Sequence, residues 1–348
     1  MEGNTTFPSL SANHSHTNNC SRDNVLKTVV FPVLYSVLFL LSLSLNAVAA
    51  WVFFSIPSKS HFIIYLKNIV IADIVMTLTF PFKVLSDSNM ASTPLRVLVC
   101  RVSSVLFYLT MYISILFFGL ISIDRCRKTL QPFKGTNSAR LARRKLLSAA
   151  VWIFLLALCL PNVILTSKIP TSPYFKCSDL KTDAGLRWHE VVNHVCQVVF
   201  WGNLVTVIVC YTLITKELYS KKVYESYKSS KSSSQAASRK TKAKVFIVLA
   251  VFSVCFAPYH FTRVPYTLSQ TGSMVSDCWT QNALYVTKKT TLWLSAANVC
   301  LDPLIYVFLC GMFRKRLAAA LCRRSVPSSA TESRVETCSQ VEMSQMVQ

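Results

Sequence analysis

Apolar residues fall in seven long runs along this chain, at about 28–54, 62–85, 98–124, 146–166, 189–215, 244–269 and 284–309, with polar stretches between them. Each run is long enough to cross roughly 30 Å of hydrocarbon as a helix. Inside a bilayer every backbone N–H and C=O must find its partner within the protein. Runs of this length therefore predict an all-α membrane fold, a bundle of seven transmembrane helices. The polar remainder sets the organisation: an outer tail over 1–27, the bundle over 28–310, a short amphipathic eighth helix over 311–322 and a disordered tail over 323–348. The longer connections lie near 167–188 and 216–243, and no internal repeat is visible.

Composition agrees with this reading. Of 348 residues, 52% are hydrophobic and 15% charged, against about 25% charged in a soluble domain. The net charge is +22, from 37 basic and 15 acidic residues. A soluble protein with that balance would suggest nucleic acid, but here the cations cluster between runs. Arg125, Arg127, Lys128, Arg143 and Arg144 follow run three. Lys221, Lys222, Lys240 and Lys242 follow run five, and Arg314, Lys315 and Arg316 follow run seven. All three segments share one side, which makes that side cytoplasmic and the N-terminus extracellular, with no call for a nucleic-acid partner. Residues 1–24 lack an apolar core, so the first run is expected to direct insertion. Three glycosylation sequons, at Asn4, Asn13 and Asn19, lie in that same tail.

Of 13 cysteines, Cys20, Cys100, Cys177 and Cys278 fall on the oxidising side, where two bridges with three possible pairings are expected. Cys322, beyond the basic segment that follows run seven, is a candidate for palmitoylation. The Ser-rich stretch at 226–240 and the Ser/Thr-rich end at 325–348 read either as linker and terminus or as sites of phosphorylation.

Ionisable groups inside spans are functional candidates. Asp73 lies in "LKNIVIADIVM", Asp124 and Arg125 in "GLISIDRC", and Asp302 in "NVCLDPLIY", with Asn46 and Asn298 also within runs. These are either hydrogen bonds holding helices together or a polar core with two arrangements. Two buried carboxylates must be hydrogen-bonded, protonated or bound to a cation.

Together these residues resemble the rhodopsin-like G-protein-coupled receptors. Asn46, Asp73, Cys100 and Trp152 stand where that family expects them. Asp124-Arg125-Cys126 matches Asp-Arg-Tyr, Cys255-Phe256-Ala257-Pro258 matches Cys-Trp-x-Pro, and Asp302-Pro303-x-x-Tyr306 matches Asn-Pro-x-x-Tyr. The resemblance covers roughly 28–322. Cys126 and Phe256 depart from it, Asn203 stands near the missing proline of span five, and span six offers no acid for Arg125. Asp124 is then the expected resting partner of Arg125. The resemblance implies a switch built from Asp124, Arg125, Phe256, Pro258, Asp302, Pro303 and Tyr306. It also implies a sodium ion held by Asp73, Ser114, Asn298 and Asp302, and kinases and arrestin at the cytoplasmic tail. No other metal or cofactor is expected.

The outer ends of the spans carry a second pattern. His260, Arg263, Tyr266 and Gln270 recur at helical spacing on one face. Tyr108 and Tyr112 are one turn apart, as are His189, Asn193 and Gln197. Lys288 and Lys289 lie at the outer end of run seven, and Asn162 follows Pro161 at the top of run four. Glu190 and Asp277 are the main acids expected near this mouth. Arginine and lysine suit phosphate, and tyrosine offers a stacking face and a hydroxyl. The bland alternative is that the lysines snorkel to the interface. A polyanion with an aromatic ring fits; a cationic amine would lack its counter-ion.

The stretches "FPFK", "FYLTMYIS", "LPNVILT", "WHEVVNHVCQVVFW" and "HFTRVPYTLSQT" resemble the purinergic nucleotide receptors, in the branch that contains ADP and UDP-sugar receptors and couples to inhibitory-class G proteins. That resemblance implies phosphate contacts from Arg263, Lys288, Tyr266 and His189. Tyr108, Tyr112, Asn162 and Asn193 would hold base and sugar, and His260 and Gln270 would line the wall. The implied bridges are Cys100–Cys177 and Cys20–Cys278. The expected function is a plasma-membrane receptor for ADP, with a UDP-sugar receptor or a peptide or lipid receptor on the same fold as alternatives. No nucleophile–base constellation points to an enzyme.

Overall fold

The computed structural model describes residues 25–55, 61–131, 138–172, 175–227, 233–270 and 277–324, and these are helical with short connections and no strand. Helix α1 is Leu26–Ser55, α2 is His61–Asp87, α3 is Thr93–Leu130 and α4 is Ser138–Ile164. Helix α5 is Asp183–Tyr227 and α6 is Ser233–Gln270. Helix α7 runs Cys278–Ala296 and, after a step at Ala297, Asn298–Leu309, and α8 is Gly311–Arg324. Six of these are long and apolar enough to span a membrane over the described residues. The remaining run, 244–269, lies in α6, where some side chains before Leu249 fall outside the described set. Asn4, Asn13, Asn19, Cys20 and the tail beyond 324 also lie outside the described residues, as do the side chains of Gln270 and Cys322.

The helices outrun the apolar stretches that predict them. Helix α5 has 45 residues, about 68 Å at 1.5 Å per residue, roughly twice the hydrocarbon thickness. Backbone bonding continues past the lipid boundary because good helix formers such as Lys216, Glu217 and Leu218 follow. Hydropathy thus reports the membrane, and propensity reports the helix end.

Helix α3 is the axis of the bundle. Of its best spanning window, 72% is buried, against 22% for α4 at the periphery. Exposed Leu40, Leu43, Ile153, Val198 and Val205 are the lipid-facing surface that such a fold requires. Inside, rings of Phe118, Phe200, Phe252 and Phe256 pack with centroids 5.4–6.4 Å apart, joining α3, α5 and α6.

Polar side chains fix the helix pairs. Asn46 Nδ2 donates to the Val299 carbonyl at 2.8 Å, tying α1 to α7. Trp152 Nε1 donates to Asn68 Oδ1 at 2.9 Å, tying α4 to α2. Asn203 Nδ2 donates to the Ile115 carbonyl at 2.7 Å, and Gly119 makes room, since a Cβ there would collide with the Asn203 amide. Where α7 gives way to α8, Phe313 is buried against Phe53, with ring centroids 5.0 Å apart.

Prolines inside α2, α4, α6 and α7 (Pro81, Pro161, Pro258, Pro265 and Pro303) each remove a backbone donor and open the helix locally. Near the start of α3 a wide π turn over Val99–Ser103 carries Cys100. Its bridge to Cys177 closes a separation of 77 residues and holds the connection between α4 and α5 over the bundle. Cys278 is also disulfide-bonded; its expected partner, Cys20, lies outside the described residues.

Candidate functional site

Below the Cys100–Cys177 bridge the bundle opens into a cavity of about 460 Å³ walled by α2 through α7. That is the size of a small-molecule site. Tyr108 and Tyr112 face it from α3, Arg263 and Tyr266 from α6, and Lys288 from α7. Asn162, His189 and Asn193 face it from α4 and α5. Eight of the ten expected ligand residues are therefore brought together.

Arg263 is the centre of this arrangement. Its Nη1 donates to the Tyr112 hydroxyl at 3.0 Å, and its Nη2 donates to Asn193 Oδ1. The guanidinium also lies 5.9 Å from the Tyr108 ring centroid and 5.8 Å from that of Tyr259. These partners are all neutral. They orient the fork and leave its charge uncompensated, which is the condition for strong attraction to an incoming anion.

His260 is not on the cavity wall. It is fully buried, stacked on Phe200 with centroids 3.7 Å apart. Its Nε2 lies 2.9 Å from the Tyr112 hydroxyl and its Nδ1 lies 2.9 Å from the Phe256 carbonyl. A carbonyl only accepts, so Nδ1 carries the proton of the neutral ring and Nε2 accepts from Tyr112. The helical face expected to present His260 beside Arg263 turns past the wall, because successive positions three apart drift around the axis.

Four charged lining residues, Lys83, Asp87, Lys181 and Lys289, fell outside the expected ligand set. Lys181, from the loop before α5, donates to Asn162 Oδ1 at 3.1 Å. Burial pushes its ammonium down to about 8. Lys83 and Asp87, one turn apart at the end of α2, form an ion pair at 3.1 Å. Asp87 also meets Lys289 at 3.6 Å, so Lys289 is a buried ion-pair partner. "FPFK" holds the only signal for Lys83; a loop lysine such as Lys181 has none.

Among the described residues the lining therefore holds five cations, Lys83, Lys181, Arg263, Lys288 and Lys289, and one acid, Asp87. The acids expected at the mouth are elsewhere. Glu190 is exposed beside His194, and Asp277 caps α7 by accepting from the Thr280 backbone N–H at 3.3 Å. Hydrogen bonds from Thr280, its side chain first and its backbone N–H after it, hold the Asp277 carboxyl below its ordinary range. Lys288 stands 5.0 Å from the Tyr266 ring centroid.

Deeper in the bundle, the Tyr306 hydroxyl donates to Asp73 Oδ2 at 3.2 Å and Asn298 Nδ2 donates to Asp302 Oδ2 at 2.8 Å. The other oxygens, Asp73 Oδ1, Asn298 Oδ1 and Asp302 Oδ1, are buried and receive no protein N–H, and the Asp73 and Asp302 carboxyls lie within hydrogen-bonding reach of each other. Ser114 is buried as well. An oxygen-only set of this kind fits a hard monovalent cation.

At the far end of α3 from the disulfide, the ion pairs of Asp124 run to Arg144 of α4 and to Lys128, the latter at 3.5 Å. Asp124, the expected resting partner of Arg125, thus has two further cations beside it. Consecutive helix residues point about 100° apart, and α4 brings its own guanidinium to the Asp124 side. Nearby, Ser122 donates to the Tyr211 hydroxyl at 3.2 Å and links α3 to α5.

Comparison with known proteins agrees with this architecture. The sequence model of the family described as "7 transmembrane receptor (rhodopsin family)" matches residues 45–306. The chain is 48% identical over 316 residues to purinoceptor 13 of Homo sapiens, covering 90% of this chain and 88% of that one. It is 43% identical over 304 residues to purinoceptor 14 of Bos taurus, covering 87% and 88%. It is 42% identical over 310 residues to G-protein coupled receptor 87 of Mus musculus, covering 88% and 84%. A bundle of membrane-spanning helices with a polar core and a cationic cavity, matched over most of its length, identifies the family: this chain belongs to the rhodopsin-family seven-transmembrane receptors, in their purinoceptor branch.

Proposed function

We propose that the chain is a plasma-membrane receptor for an extracellular nucleotide, ADP, and that it signals through an inhibitory-class heterotrimeric G protein. The observation that carries this reading is the Arg263 guanidinium, half-buried at the cavity and held, among the described residues, by neutral groups. Lys288 and Lys181 face the same space with no acid beside them among the described residues. A diphosphate supplies the missing negative charge in a form that a planar fork binds bidentately. The Tyr108 and Tyr112 rings offer faces for the base. The similarity to two purinoceptors supports a purine nucleotide; the G-protein class follows from the resemblance described above.

Binding is linked to signalling through Arg263. When phosphate draws the guanidinium, it pulls on the Tyr112 hydroxyl, and through it on His260 and the Phe256 carbonyl one turn before His260. Pro258 lies between those two residues and leaves α6 free to bend there. The ligand thus biases a pre-existing equilibrium toward a conformation that admits the G protein, and each partner strengthens the other's binding. A sodium ion at Asp73, Ser114, Asn298 and Asp302 would favour the resting arrangement.

The test is G-protein activation and cyclic AMP in membranes carrying wild type or Arg263→Ala at matched surface amounts, titrated with ADP, ATP, UDP and UDP-glucose. Potent activation by ADP with a fall in cyclic AMP, and a shift of about tenfold or more in the variant, supports the reading. That shift corresponds to a lost charge-assisted contact of about 1.5–3 kcal/mol. UDP-glucose as the strongest agonist would make it a sugar-nucleotide receptor. A receptor silent to all four would be a peptide or lipid receptor.

A further inference from the structure

The five cations of the cavity fall into two electrostatic groups. Arg263, Lys288 and Lys181 have only neutral partners (Tyr112, Asn193, Asn162 and the tyrosine rings). Lys83 and Lys289 share one carboxylate. Asp87 Oδ2 meets Lys83 at 3.1 Å and Asp87 Oδ1 meets Lys289 at 3.6 Å, so each oxygen is committed to one lysine. The three side chains are 13–19% exposed, and aromatic walls back both lysines. Lys83 lies 5.0 Å from the Tyr35 centroid and Lys289 lies 5.8 Å from that of Tyr285. Lys288 and Lys289 are neighbours on α7, so one residue step separates the uncompensated group from the compensated one.

From this geometry we propose that Asp87 is a specificity-determining residue that sets the phosphate count: by occupying Lys83 and Lys289 it makes the cavity prefer a diphosphate over a triphosphate. The proposal rests on the nucleotide reading for its biological ligand, but the charge argument holds for any polyphosphate. Arg263, Lys288 and the Asp87 group line one cavity, so a phosphate chain held by the first two and long enough to extend further meets the Asp87 group. With Asp87 ionised, that group carries a net charge of +1 spread over two lysines already bonded, and a further phosphate must compete with the carboxylate for them. Without Asp87, no carboxylate competes for the two lysines, and an incoming phosphate can hold both as ammonium ions. Discrimination then comes from an element that repels the wrong ligand as well as from those that attract the right one. Lys83 and Lys289 serve in this arrangement as Asp87's partners.

The experiment compares wild type, Asp87→Asn, Asp87→Glu and Lys289→Gln. Activation is titrated with ADP and ATP, and the purified receptors are melted with inorganic pyrophosphate or tripolyphosphate. The expected result for Asp87→Asn is an ATP-to-ADP potency ratio raised by about tenfold, with tripolyphosphate now stabilising more than pyrophosphate. Asp87→Glu restores the wild-type ratios. Lys289→Gln moves both ratios the other way, since its group falls to zero net charge. Equal losses for both ligands in Asp87→Asn, or ratios unchanged in Asp87→Asn and Lys289→Gln, overturn the proposal. If Asp87→Asn does not reach the surface, the sign of the Lys289→Gln shift decides. Should no nucleotide activate the wild type while the polyphosphate contrast behaves as stated, the charge selection stands and the nucleotide reading falls.

Discussion

The Arg263 guanidinium donates to the Tyr112 hydroxyl at 3.0 Å, and that same hydroxyl stands 2.9 Å from His260 Nε2. One oxygen thus joins the cationic site on the cavity side to a fully buried imidazole behind it. Tyr112→Phe removes an acceptor from Arg263 and leaves Nε2 unsatisfied, with little change in volume. A hydrogen bond to a charged group is worth about 1.5–3 kcal/mol, so nucleotide potency should fall by roughly ten- to a hundredfold. An agonist titration at matched expression checks this; an unshifted curve would remove Tyr112 from the pathway.

Asp124 is paired with Arg144 across the α3–α4 contact, and its side chain is only 2% exposed. Arg144→Ala removes the closest cation from that carboxylate and leaves it the half-exposed Lys128 at 3.5 Å. Breaking a buried pair from one side costs about 3–5 kcal/mol, and the 15% exposure of the Arg144 side chain places the effect near the lower end. A lower melting temperature and raised ligand-free G-protein activation are expected, with Arg144→Lys intermediate. Basal signalling equal to wild type would show that the pair is structural only.

The Cys100–Cys177 bridge closes a loop of 77 residues. In the chain-entropy picture that closure is worth about 4.5 kcal/mol. Cys177→Ser frees the connection that carries Lys181, so ligand affinity should fall further than stability. Radioligand binding and thermal melting, measured on one preparation, separate the two effects. Affinity that survives the substitution would show that this loop contributes nothing to the site.

Burial pushes Lys181 down to about 8, well below an ordinary lysine. An anion needs the ammonium form, so polyphosphate affinity should weaken as pH rises through about 8, and binding near pH 8–9 should take up a proton. For stability the sign is opposite. The folded value lies below the unfolded one, so burying the charge costs stability at low pH, and that cost is relieved as pH rises from about 8 toward the ordinary lysine range. Calorimetry in buffers of different ionisation enthalpy measures the proton uptake. Lys181→Arg, which stays charged, should flatten the affinity profile between pH 7 and 9; a profile identical to wild type would discharge Lys181 from the role.

Three buried oxygens, on Asp73, Asn298 and Asp302, receive no protein N–H. Sodium in place of a larger organic cation should raise the melting temperature and lower agonist affinity. Asp73→Asn should remove both effects while retaining a hydrogen-bonding group. Sodium dependence that persists in Asp73→Asn would place the ion elsewhere.

The spans, the polar core residues and eight of the ten expected ligand residues were legible in the sequence. Hydrophobic run length is read directly by a bilayer, and an ionisable group within such a run has few places to go. Tyr108, Tyr112, Arg263 and Lys288 stood out because their chemistry is out of keeping with lipid. His260 shared the same pattern yet belongs behind the wall, because helical spacing fixes the direction of a side chain only to within tens of degrees. Asp124 met Arg144, a residue 20 positions away, which no local motif connects to it.

Hydropathy and charge placement, acting through the local cost of putting backbone and cations in hydrocarbon, determined that this chain is a helical membrane bundle with basic loops on one side. Only the tertiary structure decided which charges are already paired. Lys83 and Lys289 meet the single acid found in the described cavity lining and Arg263 does not, and that depends on helix depth and rotation, which are set by packing among helices distant in sequence.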